Sequence, residues 1–219
     1  MKKIIPSFLT ILNLVCGCLA IALAFQFQFE AVLILVCLGV FFDFLDGLAA
    51  RALDAVTNFG KHLDSITDVI TSGLVPGIIV YQLFKLSGNK VFDFEVYAFG
   101  YDLIFSLSPI SFIGFLITIA SAIRLSKYNT LTRSDEFIGL PTPANAIFFA
   151  SLPVLINSDI LIDSKEIFLN NYFLIGSVIS SVILMNSPFR LFSFKAIFKD
   201  FQSNGYQILL ILISIPILI

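Results

Sequence analysis

Long apolar runs separated by short polar segments set the pattern of this chain. A helix that crosses a bilayer needs roughly 17–25 apolar residues. Seven runs approach that length: 6–25, 31–50, 64–86, 103–123, 142–158, 171–188 and 205–219, the fifth and seventh being short. The pattern predicts an all-α, polytopic transmembrane helix bundle of about seven spans, with six to eight as the range. No Pro-, Gly- or Ser-rich linker and no internal repeat interrupts it, so one membrane domain is expected over 1–219.

Composition agrees with the pattern. Hydrophobic residues make up 58% of the chain and charged residues 13%, against about 45–50% and about 25% in soluble domains. A net charge of −2, without a basic block, gives no reason to expect a nucleic-acid partner. Cys16, Cys18 and Cys37 all fall in apolar runs and read as small packing residues rather than a disulfide framework or a metal site. Met1-Lys2-Lys3 before an apolar run imitates a secretory signal, but the run continues to Phe25 and Val15 before Cys16 is a poor lipoprotein cleavage context. The run is therefore expected to be the first span.

The basic residues orient the bundle. With the N-terminus inside, Lys2, Lys3, Arg51, Lys61, Arg124, Lys127, Arg133, Arg190, Lys195 and Lys199 lie inside; Lys85, Lys90 and Lys165 lie outside, which accounts for all 13. A cytoplasmic N-terminus follows, with the segments 51–63, 124–141 and 189–204 on the same side. The outer loop 87–102, with Asp93, Glu95 and Asp102, reads as a solvated face.

Against this apolar background, Asp43, Asp46, Asp64 and Asp68 stand out. Carboxylates at membrane depth are costly and mark function. Asp43 and Asp46 are three apart in the second run and Asp64 and Asp68 four apart in the third, so each pair shares a helix face. The connection between the runs is short, which makes the helices antiparallel neighbours with their acidic faces opposed. At 1.5 Å per residue, Asp43 lies about 12 Å below Arg51 along the axis, so all four aspartates are expected toward the cytoplasmic side rather than at the bilayer centre. Four carboxylates around one cleft repel unless cations neutralise them. Hard oxygen ligands suit Mg²⁺ or Mn²⁺, and two such ions make the clamp used for displacement at phosphorus. Arg51 offers a planar fork to a phosphate. A proton or cation pathway in a transporter also buries acids, and the acids alone leave that open.

The stretch Asp43-x2-Asp46-Gly47-x2-Ala50-Arg51-x8-Gly60-x3-Asp64-x3-Asp68 resembles, at every fixed position, the signature of the CDP-alcohol phosphatidyltransferase family. Asn13-Leu14, Phe59-Gly60-Lys61 with Asp64-Ser65, Arg124 to Asn129, and Gly139-Leu140-Pro141-Thr142-Pro143-Ala144 are similar to its serine-using branch, so the resemblance covers about residues 6 to 160. It implies transfer of a phosphatidyl group from CDP-diacylglycerol to L-serine, with release of CMP, by a multi-pass protein of the cytoplasmic (inner) membrane. The active site would face the cytoplasm among membrane lipids, and the protein would be a homodimer. It implies Asp43, Asp46 and Asp64 as ligands of two Mg²⁺ or Mn²⁺ ions, with Asp68 both beside the metals and taking the proton of the acceptor hydroxyl. Gly47, Ala50, Arg51 and Gly60 would form the CDP pocket. Asn13 is polar in an apolar helix and is expected to hydrogen-bond either the nucleotide or a neighbouring helix.

A serine acceptor needs a cation for its carboxylate, which Arg124, Lys127 or Arg133 could supply, and an acceptor for its ammonium, such as Asn129. Arg124 and Lys127 also suit positive-inside anchoring of a helix end. Thr142, between two prolines, could shape a turn over the pocket or simply start the fifth span. His62 reads as a solvated loop residue. Glycerol 3-phosphate or an inositol are the alternative acceptors within the family.

Overall fold

The computed structural model describes residues 4–98, 101–130, 137–157, 165–188 and 190–191. Helix α1 (Ile4–Phe25) and helix α2 (Phe29–Ala52) form an antiparallel pair. A five-residue connector then leads into α3 (Asn58–Asp68), a π-helical stretch Val69–Leu74, and α4 (Val75–Leu86), which run on as one helical rod. A β-hairpin follows, β1 (Phe92–Ala98) with β2 (Tyr101–Leu107), in the register Phe92 to Leu107 through Ala98 to Tyr101. A 3₁₀ turn, Pro109–Gly114, opens α5 (Phe115–Thr130). The remaining elements are β3 (Phe137–Ile138), α6 (Thr142–Asn157), the short α7 (Lys165–Phe168), α8 (Asn171–Asn186) and β4 (Arg190–Leu191), which pairs with β3.

The expectation of an all-α membrane bundle holds. Among the described residues four helical segments are long and apolar enough to cross a membrane: Ile4–Phe25, Phe29–Ala52, Asn58–Leu86 and Pro109–Lys127. Helices α6 and α8 match the fifth and sixth expected spans, but each has 16 residues. At 1.5 Å per residue that is about 24 Å, short of the ~30 Å hydrocarbon core. The seventh expected span, 205–219, lies outside the described residues.

Two boundaries differ from the sequence reading. The third rod begins at Asn58, not 64, because Thr57 caps it: the Thr57 hydroxyl accepts a hydrogen bond from the Gly60 amide at 3.0 Å. The expected inner loop 51–63 therefore shrinks to the connector. The fourth span begins at Pro109, not 103, and residues 103–107 belong to β2. Phe92-Asp93-Phe94-Glu95-Val96-Tyr97 alternates with period two, a strand pattern, and it recruits the apolar Leu103-Ile104-Phe105 as its partner. Pro109 then starts helical structure at a position where the missing N–H costs nothing.

The third rod is the centre of the bundle. Its apolar stretch is 67% buried, against 33%, 22% and 33% for the other three. Val75, Ile78, Ile79, Val80, Leu83 and Phe84 of α4 meet Ala20 and Ala24 of α1, Ile117 of α5, Phe149 of α6 and Leu174 of α8 in one core. The outward faces of α1 and α2 are apolar too. Ile4, Phe8, Ile11, Val15 and Leu19 line one, and Ile34, Leu38, Phe41, Phe44 and Leu48 the other. That is the surface a protein needs when its solvent is lipid.

Close helix contacts fix the rod relative to its neighbours. A Cβ on Gly17 would lie 2.6 Å from Thr71 Oγ1, and one on Gly39 would lie 2.8 Å from Thr71 Cγ2. Two glycines, one on α1 and one on α2, thus form the notch that receives Thr71 of the π stretch. Thr71 Oγ1 also donates to the Asn13 carbonyl at 3.3 Å. On the other side, Thr118 Oγ1 of α5 donates to the Gly73 carbonyl at 3.1 Å.

Candidate active site

The acidic site forms where α2 and α3 turn back on each other. Asp43 and Asp46 lie within the last three turns of α2, and Asp64 and Asp68 on the last two turns of α3. Carboxylate oxygens of Asp43, Asp64 and Asp68 all lie within 4.8 Å of one another. The opposed acidic faces expected from the helical spacings are therefore present for these three. Asp46, buried to 5% exposure, is held by α1: Thr10 Oγ1 donates to Asp46 Oδ2 at 2.6 Å.

A divalent cation fits this donor set. All the converging ligand atoms are carboxylate oxygens, the donors that hard cations prefer. Asp64 Oδ1 is buried without a hydrogen-bond partner among the described residues, an arrangement that is costly unless something positive meets it.

Beside the acids lies a cavity of about 250 Å³. Its walls include Asp46, Gly47, Ala50 and Arg51 from α2, Gly60, Lys61 and Asp64 from α3, and Pro6, Ser7 and Thr10 from α1. Arg51 lies back along its own helix, where Nε donates to the Gly47 carbonyl at 3.0 Å. A Cβ on Gly47 would come within 3.9 Å of the Arg51 Nη2, so the guanidinium lies over the glycine. At Gly60 a Cβ would stand 3.1 Å from Thr57 Oγ1, crowding the cap that starts α3. Gly60 thus leaves room for a capped helix end, while a Cβ on Gly47 would make only ordinary contact with the arginine.

The structure groups Gly47, Ala50, Arg51 and Gly60 around that cavity. Asn13 is not among its lining residues. It is 1% exposed and sits between α1 and α2, where its Oδ1 would be 2.9 Å from a Cβ on Gly39 and has no hydrogen-bond partner among the described residues. The contribution of α1 to the cavity, through Pro6, Ser7 and Thr10, was missed in the sequence. A threonine three residues before Asn13, on its face of an otherwise apolar helix, was the available signal.

Arg124 and Thr142 are buried, at 7% and 1% exposure, while Lys127 is exposed. Helix α5 runs antiparallel to the rod, with Ser121 against Gly73 and Thr118 against Gly77. Carried one turn further, this register sets Arg124 level with the start of the π stretch, directly after Asp68. Thr142 begins α6. The preceding Gly139-Leu140 docks on the end of α8, where the Leu140 amide donates to the Leu184 carbonyl at 3.0 Å. Ser121 of α5 donates to Met185 Sδ of the same helix end at 3.7 Å. Helix α8 thus links the segment around Thr142 to the helix bearing Arg124. The side chains of Asn129 and Arg133 lie outside the described residues, and His62 is not among the residues lining the cavity.

Comparison with known proteins points the same way. The chain is 32% identical over 144 residues to a CDP-diacylglycerol–serine O-phosphatidyltransferase of Bacillus subtilis, covering 64% of this chain and 69% of that protein. It is 33% identical over 160 residues to a protein of the same description from Methanocaldococcus jannaschii, covering 72% of this chain and 65% of that one. An archaetidylserine synthase of Methanothermobacter thermautotrophicus is 33% identical over 150 residues, with 67% and 56% covered. The chain thus spans between about half and about two thirds of the length of these relatives. Residues 3–183 match the model of the family described as CDP-alcohol phosphatidyltransferase, a range that contains the acidic cluster, the cavity and the three helices that build them. The chain belongs to the CDP-alcohol phosphatidyltransferase family.

Proposed function

We propose that this protein transfers the phosphatidyl group of CDP-diacylglycerol to L-serine, giving phosphatidylserine and CMP. The observation that carries the reaction class is the convergence of Asp43, Asp64 and Asp68 within 4.8 Å beside a cavity walled by Gly47, Ala50, Arg51 and Gly60. Serine as acceptor rests on the relatives, two of which are described as serine O-phosphatidyltransferases.

In this reading the CDP group occupies the cavity. Arg51, its Nε tied to the Gly47 carbonyl, presents its remaining N–H groups to a phosphate. Asp43, Asp46, Asp64 and Asp68 would hold divalent cations, Mg²⁺ or Mn²⁺ and in all two ions. Such ions, when bound, neutralise the pyrophosphate and the charge that develops at phosphorus. The serine hydroxyl oxygen forms a bond to the phosphorus that carries diacylglycerol as the bond from that phosphorus to the CMP oxygen breaks. Asp68 takes the hydroxyl proton. Arg124, level with the residue after Asp68, meets the serine carboxylate, and Lys127, Asn129 and Thr142 complete the acceptor side.

The charge bias of the sequence supports a cytoplasmic N-terminus and an acidic site that opens to the cytoplasm. The family resemblance supports a homodimer in the cytoplasmic membrane. The test is CMP release by purified protein given CDP-diacylglycerol, Mg²⁺ or Mn²⁺, and serine, glycerol 3-phosphate or inositol in turn. Release with serine alone is expected. Release only with another alcohol moves the protein to a different branch of the family, and ion-driven solute uptake without CMP release would make it a transporter.

A further inference from the structure

The fourth acid of the motif is held differently from the other three. Asp43, Asp64 and Asp68 form the tight carboxylate group, whereas Asp46 receives a hydrogen bond from another helix, from a hydroxyl outside the motif. Thr10 Oγ1 lies 2.6 Å from Asp46 Oδ2 and 3.0 Å from the Pro6 carbonyl of its own helix. A hydroxyl has one proton, so it can serve only one of them. A threonine in an apolar helix ordinarily donates to the carbonyl four residues back. Here the carboxylate is nearer, and hydrogen bonds to an ionised acceptor are the shorter and stronger kind. Thr10 is 3% exposed and Asp46 5% exposed, so water competes little for either.

We propose that Thr10 is a positioning residue for Asp46. Its hydroxyl occupies Oδ2 and fixes the rotation of the carboxylate, leaving the other oxygen to face a cation. Helix α1 contributes no acid of its own, yet through this bond it sets the geometry of one ligand. Pro6 and Ser7, on the turn before Thr10, line the same cavity, so α1 is in place to couple nucleotide occupancy to the acidic site. The inference rests on the reading of Asp46 as a cation ligand.

The test is Mn²⁺ binding to the full-length protein in detergent, read as the loss of the free-Mn²⁺ electron paramagnetic resonance signal, with no substrate present. Groups that orient a metal ligand typically change affinity by about 10–100-fold when removed. Thr10→Val, which keeps the shape and removes the hydroxyl, is expected to weaken Mn²⁺ binding by about tenfold or more. Thr10→Ser, which keeps the hydroxyl, is expected to bind like the unsubstituted protein. Thr10→Ala gives the same comparison should valine disturb folding, and unfolding midpoints in chelator report folding separately. Unchanged affinity in Thr10→Val and Thr10→Ala overturns the proposal, as does a Thr10→Ser protein as weak as they are. Absence of Mn²⁺ binding by the unsubstituted protein overturns the metal reading itself, and this inference with it.

Discussion

Asp68 and Arg51 carry different demands, and substitutions separate them. Asp68 belongs to the carboxylate group that could hold a cation and is assigned the acceptor proton. Asp68→Asn preserves size and should lower CMP release by about a hundredfold or more, the usual scale of a lost general base. The unfolding midpoint in chelator should stay unchanged; turnover near the original rate would remove Asp68 from that role. Arg51 instead uses one N–H to hold itself along α2, and in the proposed reading it offers the rest to the CDP group. Lysine has no such division, since its single ammonium cannot both bond the Gly47 carbonyl and present a fork. A hydrogen bond to a charged group contributes about 1.5–3 kcal/mol, so Arg51→Lys should raise KM for CDP-diacylglycerol by roughly tenfold or more, with a smaller change in kcat. Equal losses in kcat and kcat/KM would instead place Arg51 at the reacting phosphorus.

Between elements, the site depends on how closely α1, α2 and the π stretch approach. Gly39→Ala would force a methyl to 2.8 Å from Thr71 Cγ2 and 2.9 Å from Asn13 Oδ1. Overpacking of this kind costs about 1–3 kcal/mol. The unfolding midpoint should fall, and Thr71→Ser, which removes that methyl, should recover part of the loss in the double variant. Additive losses would show that the two residues do not share the contact. Helix faces were legible in the sequence: the spacings of Asp43 with Asp46 and of Asp64 with Asp68 predicted opposed acids, and three of the four, Asp43, Asp64 and Asp68, converge. What crosses between helices was not. Thr10 meets Asp46, and Thr71 meets Gly17 and Gly39, at separations of more than thirty residues that no local pattern encodes. The β-hairpin was hidden for another reason: Leu103-Ile104-Phe105 is apolar enough to join a hydrophobic window, and only its partner strand reveals the period of two.

For the whole molecule, orientation and cation dependence are the testable properties. In a protein whose Cys16, Cys18 and Cys37 are replaced by alanine, Lys61→Cys should react with a membrane-impermeant thiol reagent only from the cytoplasmic side. Lys90→Cys should react only from the opposite side. The reverse labelling would invert the bundle and place the acids at the other face. Chelation with EDTA should abolish CMP release and added Mn²⁺ should restore it; undiminished release in EDTA would remove the cation from the reaction. At this scale the apolar outer faces of α1 and α2 were legible in the sequence, because a lipid solvent demands them, while the orientation drawn from the charge bias is what the labelling tests.

The π stretch Val69–Leu74 lies between the acids of α3 and the buried length of α4. It acts as a phase shifter: the two halves of the rod need not present the same side to the same neighbour. The upper half can turn its carboxylates toward α2 while the lower half is enclosed by four other helices. A π stretch closes i→i+5 rather than i→i+4 hydrogen bonds, so deleting Ile70 would let the rod run on as regular α-helix and change how Asp64 and Asp68 face Asp43 without touching a side chain of the cluster. Such a protein should still insert in the membrane and yet bind Mn²⁺ more weakly; unchanged affinity would show that the neighbouring helices hold the acids in place without the π stretch.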